Sequence, residues 1–113
     1  MQIRILVASV VLAFSSLGNA VAAVNQPVMD NKSCEAPKYP KASLMNEETG
    51  TVTLGFLVSV DGKVVDSKIE STSGSKSLDK AALAALSLCK FKPGSKDGKV
   101  EQMWTKVDFV WKF

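Results

Sequence analysis

The stretch Thr51–Ile69, TVTLGFLVSVDGKVVDSKI, decides the fold of this chain. Its first half places an apolar residue at every second position, a period that predicts a strand with one buried face. Asp61-Gly62 follows and predicts a type I′ hairpin turn, with a return strand from Val64 to Ile69. A two-stranded hairpin is marginally stable alone, so other segments must cover its apolar face. The apolar positions of the first strand are Val52, Leu54, Phe56, Val58 and Val60.

Two segments are expected to supply that cover as helices. The first is Lys41–Glu48, which follows Pro40 and would turn Leu44 and Met45 inward. The second begins after Ser77, a residue type that caps helix N-termini well, with Asp79 in the first turn. Its apolar residues recur at helical spacing and predict one buried stripe, formed by Leu78, Ala82, Ala85, Leu86 and Cys89.

The last segment, Glu101–Phe113, alternates again and predicts a third strand whose odd-numbered residues face the core. The element order is therefore helix, strand, strand, helix, strand. This order predicts an α+β fold with a small three-stranded antiparallel sheet and two helices packed on one face.

The N-terminus indicates export. Residues 1–23 contain Arg4, an apolar run from Ile5 to Phe14 and an A-x-A site, as in a cleavable secretory signal peptide. The alternative is an uncleaved anchor in the inner membrane. We expect residues 24–36 to form a flexible leader and residues 37–113 to form the folded domain.

The net charge and the two cysteines indicate which kinds of partner and which cysteine chemistry to expect. Loss of Arg4 with the signal would leave 13 basic and 11 acidic residues, a balance that gives no reason to expect nucleic acid or a membrane surface as partner. In an oxidising compartment the pair Cys34 and Cys89 is expected to form a disulfide. A metal pair or a reactive thiol is the alternative, but the chain has no histidine and no C-x-x-C motif.

Several short motifs follow one another along the chain in a fixed order and spacing: Tyr39-Pro40, Gly50-Thr51-Val52, Phe56-x-Val58, Asp61-Gly62-Lys63-Val64, Ser71-Thr72-Ser73-Gly74, Leu78-Asp79-x-Ala81, Phe91-x-Pro93-Gly94 and Val107-x-Phe109. Gly50 lies eleven positions after Tyr39. In this order and spacing the motifs resemble the C-terminal domain of TonB-family energy transducers, and the resemblance covers nearly the whole mature chain.

This resemblance implies a periplasmic module, associated with TonB-dependent transmembrane transport, that captures an extended peptide of an outer-membrane receptor or another envelope partner. The peptide would pair with the edge of the last strand by β-augmentation. A homodimer through the same edge is an alternative. Carried over to this sequence, the partner-binding residues are Gln102, Met103, Trp104, Thr105, Lys106, Val107, Asp108 and Val110.

Two other functions remain open, an anchored short TonB-type transducer and a structural envelope component resembling the TolA C-terminal domain. A full transducer carries an uncleaved membrane helix and a long Pro-rich spacer. Here about 15 residues separate the expected cleavage site from Tyr39, a span of at most ~50 Å, so we do not expect force transmission. An enzyme is not expected, because the chain offers no histidine, no G-x-S-x-G motif and no clustered carboxylates; no cofactor or metal is expected either.

The signal-peptide prediction has a direct test. The mature protein should begin at Ala23 or Val24 and be recovered in the soluble periplasmic fraction, because the apolar run is too short to span a bilayer. Intact mass of the periplasmic protein measures this. Retention of Met1 together with pelleting of the protein with membranes would favour the anchored transducer instead.

Overall fold

The computed structural model describes residues 23–113, so the signal-peptide prediction and its anchor alternative lie outside the described residues, apart from Ala23. Within the described part, no helix combines the length and apolarity needed to cross a membrane. The described residues form β1 (Val24–Asn25), β2 (Val28–Asp30), α1 (Lys41–Met45), β3 (Gly50–Val58), β4 (Val64–Ser71), α2 (Lys76–Leu86), β5 (Lys90–Lys92), β6 (Ser95–Lys96), β7 (Lys99–Val100) and β8 (Met103–Trp111).

The main sheet is built around β3, which lies between β4 and β8 with antiparallel pairing on both sides. Four of the five alternating apolar residues are completely buried, as the sequence predicts: Val52, Leu54, Phe56 and Val58. Val60, the fifth, lies beyond the end of β3 and is exposed. The two helices and three-stranded sheet confirm the predicted α+β class.

Helix α2 covers the buried face of the sheet with Leu78, Ala82 and Leu86, and Cys89 just beyond the helix is buried with them. Its start lies two residues earlier than predicted. Ser75, not Ser77, is the N-cap, and its hydroxyl accepts from the N–H of Leu78 at 3.3 Å.

Asp79 is buried beside the β4–α2 connection and accepts hydrogen bonds from that connection. The N–H of Ser73 lies 2.8 Å from its carboxylate, and the hydroxyls of Ser73 and Thr72 also donate to it. Burial alone would raise the pKa of Asp79, but the hydrogen bonds from Ser73 and Thr72 outweigh it, so the pKa is lowered. The ionised carboxylate therefore holds the loop against the helix.

The first hairpin turn differs from the predicted type I′ turn. The carbonyl of Ser59 accepts from the N–H of Gly62 at 2.9 Å, and of Asp61 and Gly62 only the glycine has positive φ, at 86°. This matches a three-residue loop with a glycine bulge. Gly62 also contacts β5: its carbonyl accepts from the N–H of Phe91 at 2.9 Å, and a Cβ at this position would lie 2.3 Å from the carbonyl oxygen of Phe91. Asp97-Gly98, between β6 and β7, instead has both residues at positive φ, as a type I′ turn requires.

Helix α1 is shorter than predicted and presents a different residue to the core. It ends at Met45, and Glu47 at φ 54° turns the chain toward β3. Leu44 and Met45 are exposed, whereas Ser43 is the buried residue of this five-residue helix.

Residues 24–36 were predicted as a flexible leader, but they contain two paired strands. Strand β1 pairs with β6, and β2 pairs with β5. Strands of two and three residues are too short to show a period, so the sequence pattern does not reveal them. Their partners are backbone groups in residues 90–96, which follow α2.

Cys34 and Cys89 form the predicted disulfide, with their Cα atoms 4.8 Å apart. It joins the end of the leader to the segment just after α2. Next to it, the N–H of Lys90 donates to the hydroxyl of Ser33 at 2.7 Å. The leader is thus fastened to the domain at its C-terminal end.

Reduction of this disulfide should lower the melting temperature by at least several °C. A closed loop with a sequence separation of 55 residues stabilises by about 4 kcal/mol on the chain-entropy model, and about 1 kcal/mol shifts so small a domain by roughly 4–8 °C. Calorimetry of oxidised and reduced protein measures the difference. Two free thiols in freshly isolated protein would contradict the assignment.

Asp79→Asn should destabilise the protein at neutral pH by about 1–3 kcal/mol, because buried donors lose a charged acceptor. An aspartate with a lowered pKa contributes stability above its unfolded pKa of ~3.9, and that contribution is lost as pH falls through the folded value. Denaturant titrations of wild type and variant should therefore converge below about pH 4. The exposed Glu35→Gln is the matched control. A constant gap between wild type and Asp79→Asn at all pH values would contradict the role of the charge.

Candidate functional site: the outer edge of the last strand

Strand β8 lies at the border of the main sheet. One side pairs with β3 over nine residues, from Gly50 opposite Trp111 to Val58 opposite Met103. Its other side, here called the outer edge, has no partner strand among residues 23–113. An unpaired strand side presents backbone N–H and C=O groups that can bind another extended chain.

The hydrogen bond between Ser59 and Lys63 indicates which backbone groups face outward. The N–H of Ser59, directly after β3, donates toward the β4 side, to the carbonyl of Lys63 at 2.8 Å. Backbone groups of successive residues in a strand point to opposite sides, so Val58 and every second residue before it face β8. In the register of the two strands, these residues of β3 lie opposite the odd-numbered residues of β8, whose backbone groups therefore point toward β3. The backbone groups of the even-numbered residues of β8 point outward: Trp104, Lys106, Asp108 and Val110.

On the solvent face of the sheet, Trp104 is the largest exposed side chain beside this edge, at 39% exposure. The Nζ atom of Lys68 on β4 lies 4.5 Å from the centre of its indole ring, a cation–π contact. Gly55 of β3 lies opposite Lys68, and its lack of a side chain leaves room for this contact across the sheet. A Cβ at this position would lie 3.2 Å from Cγ of Lys68 and 2.9 Å from Oε2 of Glu70.

The other face of β8 fixes the strand to the core. Thr105 and Trp111 are buried, and Val107 and Phe109 pack against the core cluster. The ring centres of Phe109 and Trp111 lie 4.9 Å apart. The burial of these residues confirms the prediction that the odd-numbered residues of the last strand face the core. Phe113 is an exception at 69% exposure, because it lies beyond the strand and stacks on Tyr39.

The structure divides the predicted binding residues into three groups. Trp104, Lys106, Asp108 and Val110 are exposed, Met103 and Val107 are half-buried with Thr105 buried beside them, and Gln102 precedes the strand. Asp108 accepts from the hydroxyl of Thr53 at 2.7 Å. The role of these residues in binding stays a prediction.

Two residues that the sequence analysis did not select lie beside this set. Gln26 of the leader and Glu70 of β4 line, together with Trp104, Thr105 and Lys106, a pocket of about 500 Å³. No motif in the sequence marks either residue as part of this pocket, because their proximity to Trp104 depends on the docking of the leader and on the β3–β4 register.

Over the described range 23–113, no group of three or more His, Cys, Asp or Glu side chains is placed to hold a metal ion. What the edge offers is a row of backbone donors and acceptors flanked by one aromatic side chain, an arrangement suited to binding an extended peptide.

Comparison with known proteins agrees with this architecture. The structure resembles the solution NMR structure of the Pseudomonas aeruginosa TonB CTD with a TM-score of 0.58 and 18% identity, covering 86% of this chain and 91% of that one. That likeness concerns the fold.

Relatives by sequence include Protein TonB of Neisseria meningitidis serogroup B, 44% identical over 73 residues that are 65% of this chain and 24% of the relative. Protein TonB of Haemophilus ducreyi is 37% identical over 75 residues, 66% of this chain and 26% of the relative. Protein tonB2 of Pseudomonas aeruginosa is 31% identical over 77 residues, 68% of this chain and 28% of the relative. The chain thus matches about a quarter of the length of these proteins. Residues 35–113 match the family described as Gram-negative bacterial TonB protein C-terminal, and the chain belongs to this family.

Proposed function

We propose that this chain is a protein-binding module of the cell envelope that captures an extended peptide on the outer edge of β8. The observation that carries the proposal is the open side of a nine-residue strand whose other side is fully paired. An added strand gains affinity from backbone hydrogen bonds and selectivity from side chains. Membership in a family of non-enzymatic proteins supports binding rather than catalysis.

The partner that fits this proposal is a TonB-box-like segment of an outer-membrane receptor, or a comparable extended segment of another envelope protein. The names of the relatives support a place in TonB-dependent transport. The secretory signature of residues 1–23 and the disulfide support the periplasm, where disulfides persist.

The residues of β8 have separate roles in this proposal. Outward backbone groups of Trp104, Lys106, Asp108 and Val110 pair with the captured strand, and Met103, Thr105 and Val107 hold β8 on β3. The aromatic contacts of Trp111 with Tyr39 and Phe109 hold β8 against the core before a partner arrives, which lowers the ordering cost of binding. Pairing of two copies through the same edge would compete with peptide capture.

A pair of proline variants tests the proposal. Lys106→Pro removes an outward N–H and should abolish capture with little effect on the fold, since proline is tolerated on the free side of an edge strand. Val107→Pro removes an N–H that bonds to β3, so it should lower the melting temperature strongly. The readout is amide-resolved NMR titration of the mature protein with a receptor-derived TonB-box peptide, alongside thermal unfolding.

Lys106→Ala is the control, because it removes the same side chain and keeps the N–H. It should bind the peptide nearly as wild type does. Shifts confined to the Asp61-Gly62 turn or to α2 in the wild type, with β8 unmoved, would contradict the proposal and favour a TolA-like role. Concentration-dependent shifts of β8 without peptide would indicate self-association.

A further inference from the structure

Most of the leader, residues 24–34, lies outside the residues that match the family, yet it is held against the domain along its length. Directly before it, the N–H of Ala23 donates to Oδ1 of Asp97 at 3.1 Å. In the middle, β1 and β2 pair with β6 and β5, and at its end is the disulfide. The leader is therefore a fixed addition to the family domain.

This addition reaches β8 close to the outer edge. Pro27 is buried, and its carbonyl accepts from the hydroxyl of Thr105 at 3.4 Å. The leader does not pair with β8, since β1 and β2 take their partners from β6 and β5. The space that remains at the edge is the pocket of about 500 Å³, with Gln26 on the leader side.

The chemistry of this pocket favours an uncharged side chain. Trp104 supplies an aromatic surface, and the carboxylate of Glu70 is already paired with Lys68, whose Nζ lies 3.7 Å from its Oε2 and 4.5 Å from the centre of the indole ring. A cationic side chain would be repelled by Lys68 and Lys106, and an anionic one would gain little from these lysines, because exposed ion pairs are weak. An aromatic or large aliphatic side chain can cover the free part of the indole, with Gln26 lining the pocket from the leader.

We infer that the leader builds a selectivity pocket, in which Gln26 and Trp104 receive one aromatic or large aliphatic side chain of the captured strand. This inference rests on the proposed function, because the pocket continues the outer edge on which that strand would pair. The leader would thus add to the family domain a specificity element that the disulfide holds in place.

The first experiment locates the side chain. Filtered NOE spectra of the mature protein with the TonB-box peptide should show one peptide residue whose side-chain protons contact both the Trp104 indole and the Gln26 side-chain amide. Binding at β8 without such contacts overturns this inference and leaves the proposed function standing. Absence of any β8 shift on peptide addition overturns both.

The second experiment measures selectivity at that peptide position, or at each position in turn, with Ala, Leu, Phe, Lys and Glu. Leu or Phe should bind about 3- to 10-fold more tightly than Ala, and Lys and Glu should bind no more tightly than Ala. In the protein variants Gln26→Ala and Trp104→Ala, the ratio of the affinity for the Leu or Phe peptide to that for the Ala peptide should fall at least twofold. The peptide with Ala at this position should bind Gln26→Ala nearly as tightly as it binds the wild type.

Asn31→Ala is the matched control, an exposed leader residue outside the pocket. It should retain the full preference, and all three variants should keep the wild-type melting temperature within a few °C. An unchanged preference in Gln26→Ala, or a charged residue binding most tightly, would overturn the inference.

Discussion

The pairing of β3 with β8 is the constraint on which the rest of the molecule depends. Its nine residue pairs run without a register shift, whereas the pairing of β3 with β4 shifts twice. This regular ladder fixes which residues of β8 face the core and which backbone groups point outward. Because a one-residue slip would exchange the faces, the burial of Val52, Leu54, Phe56 and Val58 and the orientation of the outer edge are determined together.

Long periodic segments could be predicted from the sequence. Strand β3, helix α2 with its buried stripe, and the inward residues of β8 follow from patterns of nine or more residues in which burial decides the conformation. The disulfide was predicted from the count of two cysteines together with the predicted export signal.

The remaining features depend on tertiary contacts that no local pattern records. Gly62 lies against Phe91 of β5, and α1 ends at Met45 with Ser43 as its buried residue. Strands β1 and β2 form because residues 90–96 offer free backbone groups. For the site, the sequence could place the edge through the family motifs. Gln26 and Glu70 could not be found, because three separate segments bring them beside Trp104.

The arrangement also explains how a domain of this size can keep an exposed edge. The disulfide and the paired leader hold the segment after α2, while the aromatic residues of β8 anchor the strand from the core side. These stabilising contacts lie away from the outer edge of β8, which stays unpaired among residues 23–113. Lys106 on β8 and Lys68, which reaches Trp104 from β4, place positive charge beside this edge. Charge at a sheet edge is a common protection against unwanted sheet extension.

Amide hydrogen exchange of β8 tests the central claim most directly. In the free protein, the N–H groups of Thr105, Val107 and Phe109 should exchange slowly, and those of Trp104, Lys106, Asp108 and Val110 should exchange much faster. Saturation with the TonB-box peptide should slow the second set and leave the first almost unchanged. Uniform protection along β8 in the dilute free protein, or protection of the outward amides that does not change on binding, would contradict an open edge as the binding site.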